Sequence, residues 1–96
     1  MALEFRWDPR KAAKNIAKHG VGFDEAATVF GDALGQITDD PRHSGDEQRY
    51  VLLGQPERRN LPAVMFSERG DAIRLISARR ATRREHNDYE KTKSRE

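Results

Sequence analysis

Ninety-six residues make one domain with a modest core, and a charged fraction as large as the hydrophobic one, 35% each, leaves much of its surface polar. The absence of cysteine excludes disulfides and cysteine-based zinc sites, and three scattered histidines lack metal-ligand spacing, so neither a metal nor a cofactor is expected. The formal net charge is only +2, no apolar run approaches a membrane span, and Met1-Ala2-Leu3-Glu4-Phe5 lacks a secretion-signal profile, so a cytoplasmic protein with no membrane partner is expected.

Leu3-Glu4-Phe5-Arg6-Trp7 alternates apolar and charged residues as a half-buried edge strand does, with Leu3, Phe5 and Trp7 on one side and Trp7 expected in the core. Asp8-Pro9 then starts a helix, Asp8 capping free backbone donors and Pro9 supplying the first helical dihedral. It should run to His19 and end at Gly20. Its apolar side reads Ala12, Ala13, Ile16 and Ala17, and its polar stripe Lys11, Lys14 or Asn15, and Lys18. Phe23, Ala26, Ala27 and Phe30 have the spacing of a second, short helix from about Asp24, stopped by Gly31-Asp32.

Gly35 to Thr38 reads as a strand, and Asp39 to Asp46 as a mobile connection rich in turn formers, in which His43 has no assigned role. Tyr50-Val51-Leu52-Leu53 is too continuously apolar for a surface strand, so 48–54 belongs inside the sheet. A turn over 55–60 leads to a strand over 61–67, where Pro62 must sit at the start or on an edge. Arg69-Gly70-Asp71 reverses the chain into the next strand, giving a hairpin.

That last strand, Ile73 to Ser77 or Ala78, opens onto the most distinctive stretch, Ala72 to Arg84, with five arginines and no acid in thirteen positions. From Ala78 the composition turns to good helix formers, so a helix is expected from about Arg79 or Thr82 to Lys91, with 91–96 frayed. On it Arg79 and Arg83, and Arg80 and Arg84, would each be one turn apart: either a phosphate reader, with Arg79 and Arg83 gripping one phosphate through planar guanidinium forks, or a solvated face with Asp88 and Glu90 neutralising Arg84. The segment 24–47 is instead acidic, with Asp24, Glu25, Asp32, Asp39, Asp40, Asp46 and Glu47 against Arg42 alone, so positive charge gathers on one face. The order predicts a single α+β domain over 1–96: a short N-terminal strand, two helices, an antiparallel sheet of three to four strands and a C-terminal helix. A basic face leaves three classes open: a ribonuclease, a module that binds nucleic acid without cutting it, and a protein-interaction domain.

Asp8-Pro9 with Lys11, Asn15 and Lys18-His19-Gly20, Phe23-x-Glu25-Ala26, Arg49 before Leu53-Gly54, and Ile76-Ser77-Ala78-Arg79-x-Ala81-Thr82-x-x-Glu85 with Tyr89 together resemble the BrnT toxins of bacterial toxin–antitoxin pairs. The resemblance spans nearly the whole chain. It implies a fold similar to RelE-type ribonuclease toxins, metal-independent RNA cleavage that inhibits translation and growth, and neutralisation by a cognate BrnA-type antitoxin. Two toxins would pair with two antitoxins, and operator DNA would be bound only through the antitoxin. By position it implies site roles for Lys18, His19, Arg49, Arg79, Arg83 and Glu85, with His86 standing where arginine is more usual.

Such cleavage needs cations for the charge that builds on the phosphate and groups that move protons. Arg79, Arg83 and Arg49 are candidates for the phosphate, Lys18 for the same charge or the leaving oxygen, and Glu85 or His19 for proton transfer. Arg74, Arg80 and Arg84 are candidates for the RNA backbone beyond the reacting phosphate. Lys18-His19 also suits the negative end of a helix dipole, and Glu85 is equally suited to pairing with Arg79 or capping its own helix.

Overall fold

The computed structural model describes residues 4–40, 47–55 and 61–94, with side chains described as far as 91. Leu3, His43 and the turn expected over 56–60 lie outside the described residues. Among the described residues nine elements follow in order: β1 (Glu4–Arg6), α1 (Pro9–His19), α2 (Phe23–Thr28), the one-turn 3₁₀ helix Val29–Gly31, β2 (Gln36–Asp39), β3 (Arg49–Leu53), β4 (Pro62–Arg69), β5 (Ala72–Arg80) and α3 (Arg83–Ser94). The α+β order holds, but the sheet is mixed: five strands in the order β1-β5-β4-β3-β2, with β1 parallel to β5 and the other pairs antiparallel. A strand returning beside another in parallel needs a long crossover, and here α1, α2 and the following strands supply it.

The first helix follows its signals. Asp8 accepts the Arg10 N–H at 2.8 Å, Pro9 opens the helix, and Gly20 closes it in the left-handed region at φ 73°. Its apolar side was misjudged, however: Ile16 is 53% exposed and Ala13 and Ala17 face outward, whereas Asn15 is buried. The Asn15 carboxamide accounts for this. Its Nδ2 donates to Val21 O (2.9 Å) and Ala78 O (2.7 Å), and its Oδ1 accepts from Ala78 N and Ser77 Oγ, both at 3.2 Å. Register pairs join β1 to β5 only as far as Arg74, so beyond them this amide takes the place of a neighbouring strand for Ala78.

One sheet face is covered by α1 and α2, with Val21, Phe23, Ala26 and Val29 against Leu52, Val64, Phe66, Ile73, Leu75 and Ala78. Phe30 sits edge-on to Phe5 and Phe66, and Tyr50 stacks on Phe66. Trp7 is not the core residue expected: it rests edge-on against Phe23 and stays 37% exposed. Because side chains alternate along a strand, Leu53 and Ala63 point to the opposite face, where with Leu61 and Tyr89 they form a smaller cluster. Both halves of the continuous apolar run in β3 are thereby used. Pro62 is the first residue of β4, where its missing N–H does least harm to the ladder. Gly70, at φ 60°, takes the first central position of the β4–β5 turn, which favours glycine there.

The β4–β5 ladder carries one irregularity. Met65 pairs with Ser77 and Phe66 with Leu75, so Ile76 is an extra residue in β5, a β-bulge. Replacing Asn15 by alanine strands buried backbone groups of Ala78, and we expect it to cost about 2–4 kcal/mol in urea denaturation, whereas Ile16→Ala should cost less than about 1 kcal/mol. The reverse ranking would restore the apolar face expected from the sequence.

Candidate active site

The face opposite α1 and α2 carries the arginines. At one end of the sheet, Arg79 lines a cleft of about 290 Å³ with Thr38, Asp39, Asp40, Val51, Met65 and Glu85. Arg79 and Arg80 are the last residues of β5 and not part of a helix, which begins only at Arg83. The expected one-turn spacing of Arg79 with Arg83, and of Arg80 with Arg84, therefore does not exist. The helix start is set by Thr82 and Glu85 instead. The Thr82 hydroxyl accepts the Glu85 N–H at 3.2 Å, and the Glu85 carboxylate accepts the Thr82 N–H at 2.8 Å, a reciprocal capping box.

The same carboxylate holds Arg79 in a two-pronged grip, Nη1 to Oε1 at 2.8 Å and Nη2 to Oε2 at 3.1 Å. Nη1 also donates to Arg80 O at 3.2 Å. Of the five N–H groups of the guanidinium, Nε–H and the second N–H of Nη2 remain, and they form its other edge, a fork suited to one phosphate. The hydrogen bond from Arg79 holds the Glu85 carboxyl below its usual range, aided by the Thr82 amide, and the hydrogen bond to Glu85 raises Arg79 above its ordinary value. Both stay charged near neutrality, so Glu85 is a poor proton acceptor and a good anchor.

At the other end of the same face, Arg49, Ser67 and Arg74 are paired in register across β3, β4 and β5. Arg74 and Arg69 donate to Glu47 at 3.2 Å and 2.8 Å, and Arg49 Nε lies 3.7 Å from it. The hydrogen bond from Arg69, with the charges of Arg74 and Arg49, holds the Glu47 carboxyl below its usual range. Arg80, at the end of β5, and Arg83 and Arg84, in the first turn of α3, are exposed. Lys18 is exposed and His19 half-buried in the last turn of α1, and neither side chain makes a hydrogen bond or ion pair with another described residue. The candidate residues thus divide into an Arg79–Glu85 centre, an Arg49–Arg74 cluster, and a Lys18–His19 pair in the last turn of α1, the helix whose Asn15 bonds Ala78 next to Arg79.

The model of the family described as ribonuclease toxin, BrnT, of type II toxin–antitoxin system matches residues 7–85. The chain belongs to the BrnT family. It is a ribonuclease toxin of a type II toxin–antitoxin system, a class that acts on RNA and is paired with an antitoxin. The crystal structure of the Brucella abortus ribonuclease toxin, BrnT, is similar at 27% identity and a TM-score of 0.62, covering 85% of this chain and all of that one. A comparison with curated proteins finds no match. Within this BrnT chain, sequence reasoning named Thr82 as a possible helix start but overlooked it as the capping partner of Glu85, a readable signature of their spacing. It also overlooked Glu47, Arg69 and Ser67, and Asp32, whose Oδ2 accepts from Tyr89 Oη (2.5 Å) and Gln55 N (2.8 Å) and so moors α3. Burial and that bond push the Tyr89 phenol up to about 12.

Glu85→Ala removes the cap and the Arg79 pair, and should lower stability by about 1–2 kcal/mol at pH 7. A lowered carboxyl value means that the pair contributes fully above the ordinary 4.5 and is lost as pH falls through the folded value. Parent and variant should therefore converge in acid, and a deficit unchanged down to pH 2 would separate Glu85 from this role.

Proposed function

We propose that this BrnT toxin cuts RNA without a metal ion, using Arg79 to hold the reacting phosphate on the arginine face of the sheet. The 2′-hydroxyl oxygen bonds to the adjacent phosphorus, the bond to the 5′-oxygen breaks, and the hydroxyl proton is matched by one delivered to the leaving oxygen. The products are a 2′,3′-cyclic phosphate and a 5′-hydroxyl. The observation that carries this reading is the fixed geometry of Arg79: one edge of its guanidinium is locked by Glu85, itself fixed by Thr82, and the other edge makes no hydrogen bond with another described residue, in a cleft it shares with Asp39 and Asp40. Charge held in place beforehand costs no reorganisation when the transition state forms, and removal of one such donor typically costs about 10²–10³-fold in rate.

Arg83, Arg80 and Arg84 flank that centre and carry the neighbouring backbone, while Glu85 positions Arg79 and takes no proton. Acid–base assistance adds about 10²–10⁴-fold, so a site built on cations cuts RNA without a committed base, only more slowly. Lys18 and His19, in the last turn of α1, are assigned no step in this scheme. Inhibition of translation and growth follows from loss of RNA, and an antitoxin of the BrnA type that covers the basic face would silence the enzyme. An assembly of two toxins with two antitoxins, with operator DNA bound through the antitoxin, completes the reading.

Cleavage of RNA by the purified protein should persist in EDTA, and its loss on chelation with recovery on adding magnesium would overturn the metal-free scheme. Arg79→Ala should lower single-turnover cleavage by about 10²–10³-fold with the fold retained by circular dichroism and a smaller stability loss than Glu85→Ala, whose cap it leaves in place, and Arg79→Lys should also be impaired because it keeps charge but loses the fork. Arg10→Ala, on the exposed start of α1, serves as the control and should cleave at the parental rate. A toxin–antitoxin complex that retains full ribonuclease activity would rule out occlusion of the arginine face.

A further inference from the structure

The Glu47 cluster is not explained by stability. Three guanidinium groups from β3, β4 and β5 crowd one carboxylate, leaving two positive charges in excess, and half-exposed ion pairs of this kind add little to folding. Its floor is also unfinished. Ser67 lies between Arg49 and Arg74 in register, so the three side chains share a face, and Ser67 is fully buried. Its Oγ and the buried Nε of Arg49 have no hydrogen-bond partner among the described residues, since 3.7 Å from Nε to Glu47 is beyond bonding range. A flat carboxylate offers its two oxygens in one plane. A tetrahedral phosphodiester offers oxygens in several directions, carries the same single charge, and matches three arginines above a hydroxyl.

We propose that Arg49, Arg69, Arg74 and Ser67 form a second RNA phosphate subsite, in which the Glu47 carboxylate stands in for the phosphodiester and is displaced when RNA binds. The proposal rests on the ribonuclease reading above and extends it to the substrate's length. Arg74 and Arg79 are five positions apart on β5, roughly 15 Å at the rise of a strand, too far for one phosphate to serve both. The substrate is thus a single strand laid along the sheet, with its reacting phosphate at Arg79 and another, some nucleotides away, at Arg74. A dinucleotide reaches only the first.

The test measures binding of a 2′-O-methyl RNA oligonucleotide, which has no free 2′-hydroxyl to attack and so reports binding apart from cleavage, across a range of salt concentrations. Glu47→Gln removes the competing charge and should bind about fivefold more tightly. Arg74→Ala should bind about tenfold more weakly, with a salt slope shallower by about 0.7, the value of one single-strand phosphate contact. Ser67→Ala should bind several-fold more weakly at unchanged salt slope and unchanged melting temperature. Cleavage of a dinucleotide should be indifferent to all three changes, which keeps the subsite separate from the Arg79 centre. If the parent cuts and binds RNA but Glu47→Gln binds no more tightly and Arg74→Ala no more weakly, the subsite is wrong and the ribonuclease scheme stands. If the parent neither binds the probe nor cuts RNA, both fall together. Should Arg74→Ala, or the gentler Arg74→Lys, lose the antitoxin while keeping RNA, the cluster is a protein-docking surface and the proposal is overturned.

Discussion

The extra residue Ile76 in β5 decides which face of the sheet Arg79 occupies, and the arginine face depends on it. Arg74 and Arg79 are separated by an odd number of positions, which in a regular strand puts two side chains on opposite faces. The register shift opposite Met65 and Phe66 restores parity, so that Ala78 turns into the core with Leu75 while Arg79 joins Arg74 on the other side. A bulge weakens the ladder where it sits, and Asn15 lies against that point. Its carboxamide bonds the N–H and C=O of Ala78 and the hydroxyl of Ser77, so α1 is fastened to the irregular part of the strand rather than to its regular part. The buried polar residue of the first helix and the basic face behind it are one construction.

This arrangement also explains what the sequence could convey. Asp8-Pro9 and Gly20 marked both ends of α1 because capping is a local matter of backbone donors and dihedrals. Gly70 and the paired apolar runs around it were legible for the same reason. Asn15 was not, because an amide on an amphipathic helix looks like part of the polar stripe until the backbone it serves is known. The end of β5 was placed early, at Ser77 or Ala78, because the bulge breaks the period of two near Ala78, where the composition also turns to helix formers; of the two helix starts the sequence offered, Thr82 falls one residue before α3. Thr82 and Glu85 held the better signal, since their spacing fixes the first turn of α3 without reference to the arginines upstream. Arg79 and Glu85 were named as candidates from the family motif, and the fold brings them together. The separation of Arg49 from Arg79 depends on strand register, which no local pattern encodes.

Both arginine groups share a design in which one acid fixes guanidinium groups that would otherwise repel one another. The two acids differ in what holds them. Glu85 is anchored twice, by Arg79 and by the Thr82 amide of its own helix cap, so its place is set by backbone as well as by charge. Among the described residues, Glu47 is held by the arginines themselves, and Ser67, on the same face, is left without a bond from its hydroxyl. An anion that approaches Arg79 meets a side chain with one edge taken and one edge presented, and adds to the pair without breaking it. An anion that approaches Arg74 and Arg49 must exchange with Glu47, and the exchange conserves charge while completing the hydrogen bonds that the carboxylate leaves unmade. The first geometry suits a centre that must stay rigid through a reaction, and the second suits a grip that releases the strand once it is cut.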